Sequence, residues 1–306
     1  MSPDPGSPSL RPAAGPPPTN PHTAVRRALL WWFQAPADAH VSVNFSIDFG
    51  PARAYLEQLA TQPGPKVTVQ HLLTAAVARS LRRHPLANAQ VVRNRIVLRP
   101  DVGVAMPVNL VGHPGGSRRE LGVSLLPRAD SLSLRELALQ GGRSVKEERE
   151  GRPGNPLIRV ITRLAEGVPL PLFFSAMDIF ELARRLPGTS ELVFRAVPAT
   201  TLLSNVGAPF DQVPGMLFRG GALSPPTRLG HVGTVWGTST VQDEVVAHQG
   251  QPTVRPMLPV LLLFDHRLLD GVAAGRLAQT FAGILADPAA EFGIEGQATA
   301  PSGNLR

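Results

Sequence analysis

An α/β layered fold is predicted for this 306-residue chain. Three observations predict it. Strand-like runs, some alternating and some wholly apolar, are interleaved with long amphipathic helix-like runs. Apolar residues make up 43% and charged ones 17%, a globular balance that can fill one sizeable core. No second linker and no internal repeat interrupts residues 23–290, so one domain is expected there.

The elements follow in order. Residues 1–22 hold eight prolines with glycine and serine, cannot bury a core, and are expected to be a disordered tail. Residues 23–33 read as a helix carrying Arg26, Arg27, Trp31 and Trp32. HVSVNFSIDF at 40–49 alternates apolar and polar as a half-buried strand does. Residues 51–60 and 69–83 read as helices, the second with a continuous apolar stripe for a sheet. Strands are expected at 94–99 and 101–110, around a Pro100-Asp101 turn. The helix at 131–150 opens with Ser133 and Glu136, spaced as a capping box.

Residues 155–188 are an apolar segment containing FFSAMDIF, read as a packing helix pair in preference to a ligand tunnel, a membrane contact or a partner surface. Its Phe173, Phe174, Met177, Ile179 and Phe180 are expected to be buried in the protomer or held by a partner. Further strands are expected at 192–205, 227–234 and 256–264, and an amphipathic helix at 272–286. Residues 291–306 read as a flexible tail.

Composition excludes several classes of chemistry. The chain has no cysteine, which removes disulfides, thiolate nucleophiles and cysteine metal sites, and no metal is expected. No run of eighteen apolar residues is free of charge and proline, and the first twenty residues lack a secretory pattern, so a cytoplasmic protein is expected. The net charge is +7, and apart from Lys66 and Lys146 every basic side chain is arginine. The arginine pairs at 26–27, 82–83, 118–119 and 184–185 are scattered, whereas a nucleic-acid reader concentrates its charge in a stripe. No nucleic acid is expected; a phosphate-bearing small ligand suits the balance equally well.

The stretch that carries chemistry is PMLPVLLLFDHRLLDGVAAGRLAQTFAGILAD at 256–287. An apolar strand delivers Asp265, His266 and Arg267 to its carboxyl end, and Asp270 and Gly271 precede a helix. A buried strand is a rigid mounting, and imidazole can take and return a proton near neutral pH. His266 is therefore the candidate general base. The other histidines, His231 and His248 among them, have no comparable setting and are read as structural, as are Asp265 and Arg267.

FDHRLLDG resembles the signature of the catalytic domain of the 2-oxo acid dehydrogenase acyltransferases, the dihydrolipoamide acyltransferases, whose fold chloramphenicol acetyltransferase shares. TLLSNVGAP at 201–209 and LSPPTRLGHVG at 223–233 are similar to two further strands of that family. HVSVNFSIDF, VRRALL at 25–30 and the helix and turn at 69–90 also resemble family segments, in the family's order.

The resemblance implies a two-layer sandwich of a mixed sheet and packed helices. It implies acyl transfer between a coenzyme A thioester and a thiol, with coenzyme A as a substrate. In that reading His266 takes the thiol proton and the Ser204 hydroxyl donates to the tetrahedral oxyanion. Asp270 matches a buried carboxylate that holds the site through an arginine, for which Arg26 and Arg27 are the candidates. A homotrimer is implied, with histidine and serine from different chains. The family's lipoyl domain has no counterpart here, so a lipoyl group is expected on a separate protein. The alternative reading is a non-catalytic scaffold or binding subunit of a 2-oxo acid dehydrogenase complex.

Overall fold

The computed structural model describes residues 39–92, 95–114, 120–184, 186, 188–206, 219–221 and 231–297. The expected tail at 1–22, the helix at 23–33 and residues 227–230 of the expected 227–234 strand lie outside these residues.

Strand β1, His40–Asp48, is followed by helices α1, Gly50–Ala60, and α2, Val69–Arg83. A two-stranded ribbon, β2 (Gln90–Val92) and β3 (Arg95–Val97), stands apart from the main sheet where a single strand was expected. Strands β4, Val104–Asn109, and β5, Leu121–Leu126, form an antiparallel pair. Helix α3, Leu134–Arg149, carries the expected capping box: Ser133 accepts from the Glu136 amide, and the Glu136 carboxylate accepts from the Ser133 amide at 2.9 Å.

The segment at 155–188, an insertion relative to the family that the sequence resembles, holds helices α4, Pro156–Gly167, and α5, Leu170–Arg184, and a third helix, α6, Thr189–Ala196, follows it. Strands β6 (Thr201–Asn205), β7 (Thr234–Thr238), β8 (Gln242–His248) and β9 (Gln251–Asp265) follow, then helices α7 (Gly271–Ala286) and α8 (Pro288–Phe292).

The main sheet has seven strands in the order β1-β9-β7-β6-β4-β5, with β8 paired to the outer half of β9. It is mixed: β6 lies parallel to both β4 and β7, and β9 is antiparallel to its neighbours β1, β7 and β8. Helices α1, α2, α3 and α7 form the second layer, giving the two-layer α/β sandwich. Alternation along β9 aims Leu258, Val260, Leu262 and Phe264 into the shared core. There Trp236 packs on Phe281 of α7 with ring centroids 4.8 Å apart. Each large side chain buried this fully contributes about 1.5–3 kcal/mol. The even positions of β9 are thus anchored, and its end is a stiff platform.

Several expectations are corrected. The run at 192–205 is not one strand but the end of α6 and then β6. Apolar runs this short do not distinguish helix from strand. Here Arg99 decides: it pairs with Glu191 at 2.7 Å and lies over the Phe194 ring at 3.7 Å, and both partners sit on one helical turn. The β8–β9 hairpin turns through Gln249 and Gly250, both at positive φ, without the Asn-Gly or Asp-Gly signature that marks such turns. The C-terminal tail does not start at 291. Phe292 is fully buried, Tyr55 donates to the Gly293 carbonyl at 2.7 Å, and Arg135 donates to the Glu295 carbonyl at 3.1 Å.

The insertion has its own small core of Ala165, Phe173 and Met177, lined by Ile161, Leu164, Val168 and Phe174. Of the residues expected to be buried in the protomer or held by a partner, Phe173 and Met177 are buried in the protomer, whereas Ile179 is 69% exposed on it. Successive turns of α5 turn Leu172, Ile179 and Leu182 outward, away from the side that packs on α4. Among the described residues no helix is long and apolar enough to cross a membrane.

Candidate active site

Two chain segments build the site: the end of β9 with the turn after it, and residues 231–233 leading into β7. Thr234 pairs with Phe264, and the Asp265 amide donates to the Gly233 carbonyl at 3.1 Å. A side chain at Gly233 would meet the carbonyls of Ala89 and Ala87 within 3 Å, so only glycine permits this close approach. On the other flank the His266 amide donates to the Ala39 carbonyl at 2.6 Å. The turn then closes, with the amides of Leu268 and Leu269 donating to the Asp265 carbonyl at 2.9 and 3.1 Å.

Asp265 is wholly buried and fully hydrogen-bonded. Its Oδ1 accepts from the Arg267 amide at 2.9 Å and Arg267 Nε at 3.0 Å. Its Oδ2 accepts from Arg267 Nη2 and from His231 Nε2, each at 2.6 Å. Burial alone would raise its pKa. The donors on His231 and Arg267 outweigh burial and hold the carboxyl well below the usual carboxylate range, while Asp265 pushes the Arg267 pKa up. His231 Nδ1 accepts from the Val91 amide at 3.0 Å, which assigns the proton of a neutral ring to Nε2, the nitrogen facing Asp265.

His266 is exposed at the head of this turn, its ring centroid 6.2 Å from that of Phe264. Neither Asp265 oxygen is spent on it. The imidazole thus belongs to an exposed residue on an anchored backbone.

The other two candidates are not brought to it within one protomer. Ser204 is half-buried at the carboxyl end of β6. It faces Gly237 of β7, which faces Leu261 of β9, four residues before Asp265. At about 3.3 Å per residue and about 4.8 Å per strand, Ser204 lies on the order of 16 Å from Asp265. Because β6 and β9 run in opposite directions, their carboxyl ends diverge across β7.

Asp270, expected to be buried against an arginine, is instead exposed on the protomer. Its Oδ1 accepts from the Ala273 amide at 2.7 Å, capping α7. The candidate arginines Arg26 and Arg27 lie outside the described residues. Sequence reasoning missed the His231–Asp265 pair. A charge inside a run read as buried was the available signal for Asp265, since buried charges need partners. Nothing local marked His231, whose partner is thirty-four residues away.

Among the described residues no group of histidine and carboxylate side chains could hold a metal ion. The model of the family described as 2-oxoacid dehydrogenases acyltransferase (catalytic domain) matches residues 19–154 and 231–292. The unmatched span between them holds the insertion and β6 with Ser204. The dihydrolipoyllysine-residue acetyltransferase component of the acetoin cleaving system of Bacillus subtilis is 27% identical over 228 residues, 74% of this chain and 43% of that protein. The dihydrolipoyllysine-residue succinyltransferase component of the Azotobacter vinelandii 2-oxoglutarate dehydrogenase complex is 25% identical over 231 residues, 75% of this chain and 44% of that one. The chain spans less than half the length of these relatives.

Two solved structures share the fold. The cubic core of a pyruvate dehydrogenase multienzyme complex superposes with a TM-score of 0.60 at 21% identity, covering 94% of this chain and 98% of that one. The Azotobacter vinelandii dihydrolipoamide acetyltransferase does so at 0.57 and 21%, covering 82% and 83%. With more than half of its residues matched to the family model, His266 and its turn among them, the chain belongs to the 2-oxoacid dehydrogenase acyltransferase (catalytic domain) family.

Proposed function

We propose that this chain is an acyltransferase that moves an acyl group between coenzyme A and a second thiol, with His266 as general base. The observation that carries the reading is the exposed imidazole on a turn tied down on both sides, at Ala39 and at Asp265. An incoming thiol gives its proton to a ring nitrogen, and the thiolate attacks the thioester carbonyl carbon. The tetrahedral oxyanion then collapses, the carbon–sulfur bond to the departing thiol breaks, and the imidazolium returns the proton to that sulfur.

Ser204 is the proposed oxyanion donor. Its distance from Asp265 along the sheet supports a role toward the His266 of a neighbouring subunit, as in a homotrimer with sites at the boundaries. The Azotobacter vinelandii acetyltransferase was studied for the catalytic roles of a serine, a histidine and an asparagine, the last two being four residues apart. His266 and Asp270 have the same spacing. A boundary site also accounts for Asp270 being exposed on one protomer, where a neighbour can cover it.

The proposed partners are an acyl-coenzyme A and a lipoyl-bearing protein, supported by the dihydrolipoyllysine substrates in the relatives' names. A non-catalytic scaffold would have no use for a free imidazole on an anchored turn. The test is release of coenzyme A from acetyl- and longer acyl-coenzyme A with dihydrolipoamide as acceptor. Saturable, protein-dependent release supports the reading, and no release with any acyl chain contradicts it.

A further inference from the structure

We propose that His231 is a positioning residue for His266, acting through Asp265 as a hydrogen-bonded strut. The proposal rests on the acyl-transfer reading and adds to it a residue outside the D-H-R-x-x-D-G motif.

The geometry is specific. His266 sits between Asp265 and Arg267, and the Asp265 carboxylate accepts the Arg267 amide at 2.9 Å. That bond spans His266 and restricts its backbone angles. Its other oxygen is held from two sides, by His231 Nε2 and by Arg267 Nη2, each at 2.6 Å, and His231 is the more buried of the two. The far end of the ring is fixed as well, because Nδ1 accepts from the Val91 amide of β2 at 3.0 Å. Gln90 next to it donates to the His231 carbonyl at 2.7 Å and accepts from Arg99, which pairs with Glu191 on α6. The strut therefore rests on the β2–β3 ribbon and, through Arg99, on α6.

Both ring nitrogens of His231 are occupied by these partners. No lone pair is left to take a substrate proton, so His231 cannot be a second base, and Asp265, which does not touch the His266 ring, does not form a dyad with it. The remaining role is placement. Without His231, the buried Asp265 keeps only the half-exposed Arg267 as a side-chain partner among the described residues. A desolvated carboxylate with too few donors turns toward water. Its bond to the Arg267 amide is then lost, and with it the aim of His266. Displacement of a catalytic group by about 1 Å can cost 10²-fold in rate.

The experiment compares His231→Leu, which keeps neither contact, with His231→Gln, whose amide can donate to Asp265 and accept from Val91. Circular dichroism melts verify the fold, and steady-state kinetics with acetyl-coenzyme A and dihydrolipoamide give kcat and KM separately. We expect His231→Leu to lose about 10- to 100-fold in kcat with KM nearly unchanged, and His231→Gln to recover to within about threefold of wild type. Should His231→Leu not fold, His231→Asn, which is too short to reach both partners at once, must show the same kcat loss. A folded Leu or Asn variant with wild-type kcat overturns the strut, and so does a Gln variant as slow as Leu. Inactive wild-type protein overturns instead the acyl-transfer reading on which the strut depends.

Discussion

Ser204 and Asp265, the residue before His266, lie near the carboxyl ends of two antiparallel strands separated by β7, and Ser204 is level with Leu261, four residues back along β9. No side-chain motion within a protomer closes a gap on the order of 16 Å. If both groups act on one acyl carbon, they come from two chains, and inactive variants must complement each other. His266→Ala and Ser204→Ala proteins, unfolded together and refolded as mixed trimers, should regain about a quarter of wild-type activity, the fraction of boundary sites receiving both intact groups. Mixtures as inactive as their components contradict the shared site. Light scattering checks the premise, since a monodisperse monomer is incompatible with it.

Ser204→Ala alone should lower kcat by about 10²–10³-fold with little change in KM, the pattern of a donor used in the transition state. A raised KM at unchanged kcat, from the same steady-state measurement, would make Ser204 a ground-state contact.

Asp265 makes stability depend on pH in a definite direction. Its pKa is depressed in the folded state, so its contribution is fully present above the unfolded value of about 3.9 and is lost as pH falls through the lower folded value. Melting temperatures of the wild type should drop on acidification below about pH 4, and more steeply than those of Asp265→Asn, which has no proton to gain there. At pH 7 the Asn variant should be less stable by about 3–5 kcal/mol, because the buried network loses its charge. Parallel acid profiles for the two proteins contradict this account.

The insertion should open independently of the main core. Among the described residues Phe173 and Met177 belong to a cluster separate from the main core, so Phe173→Ala should remove about 3–5 kcal/mol from that unit alone. Hydrogen exchange should quicken across 156–184 and stay unchanged in β9. Quickening in β9 as well would show that the two cores are one.

Much of the layered fold was legible from residues 40–83 and 256–286, because strand alternation, the apolar stripe of α2 and the uninterrupted core run of β9 are local patterns. The Ser133–Glu136 cap was legible for the same reason, its two bonds lying within one helical turn. What escaped is decided by contacts distant in sequence. The Phe194 region is helical in company with Arg99, the chain stays packed past 291 because Phe292 enters the core and Arg135 reaches back to it, and His231 matters only once Asp265 is beside it. For the site, the motif around His266 could be read directly. The exposure of Asp270 and the remoteness of Ser204 could not, because both depend on strand direction and on which surfaces a protomer leaves open.

The most direct measurement is the acyl-transfer rate of His266→Ala in protein whose melting curve matches wild type. His266 makes no side-chain hydrogen bond among the described residues, so truncation should leave the fold intact. The account predicts a loss of about 10²–10⁴-fold in kcat, the usual contribution of a general base. A folded His266→Ala protein turning over within about threefold of wild type, against that expected loss, would contradict it.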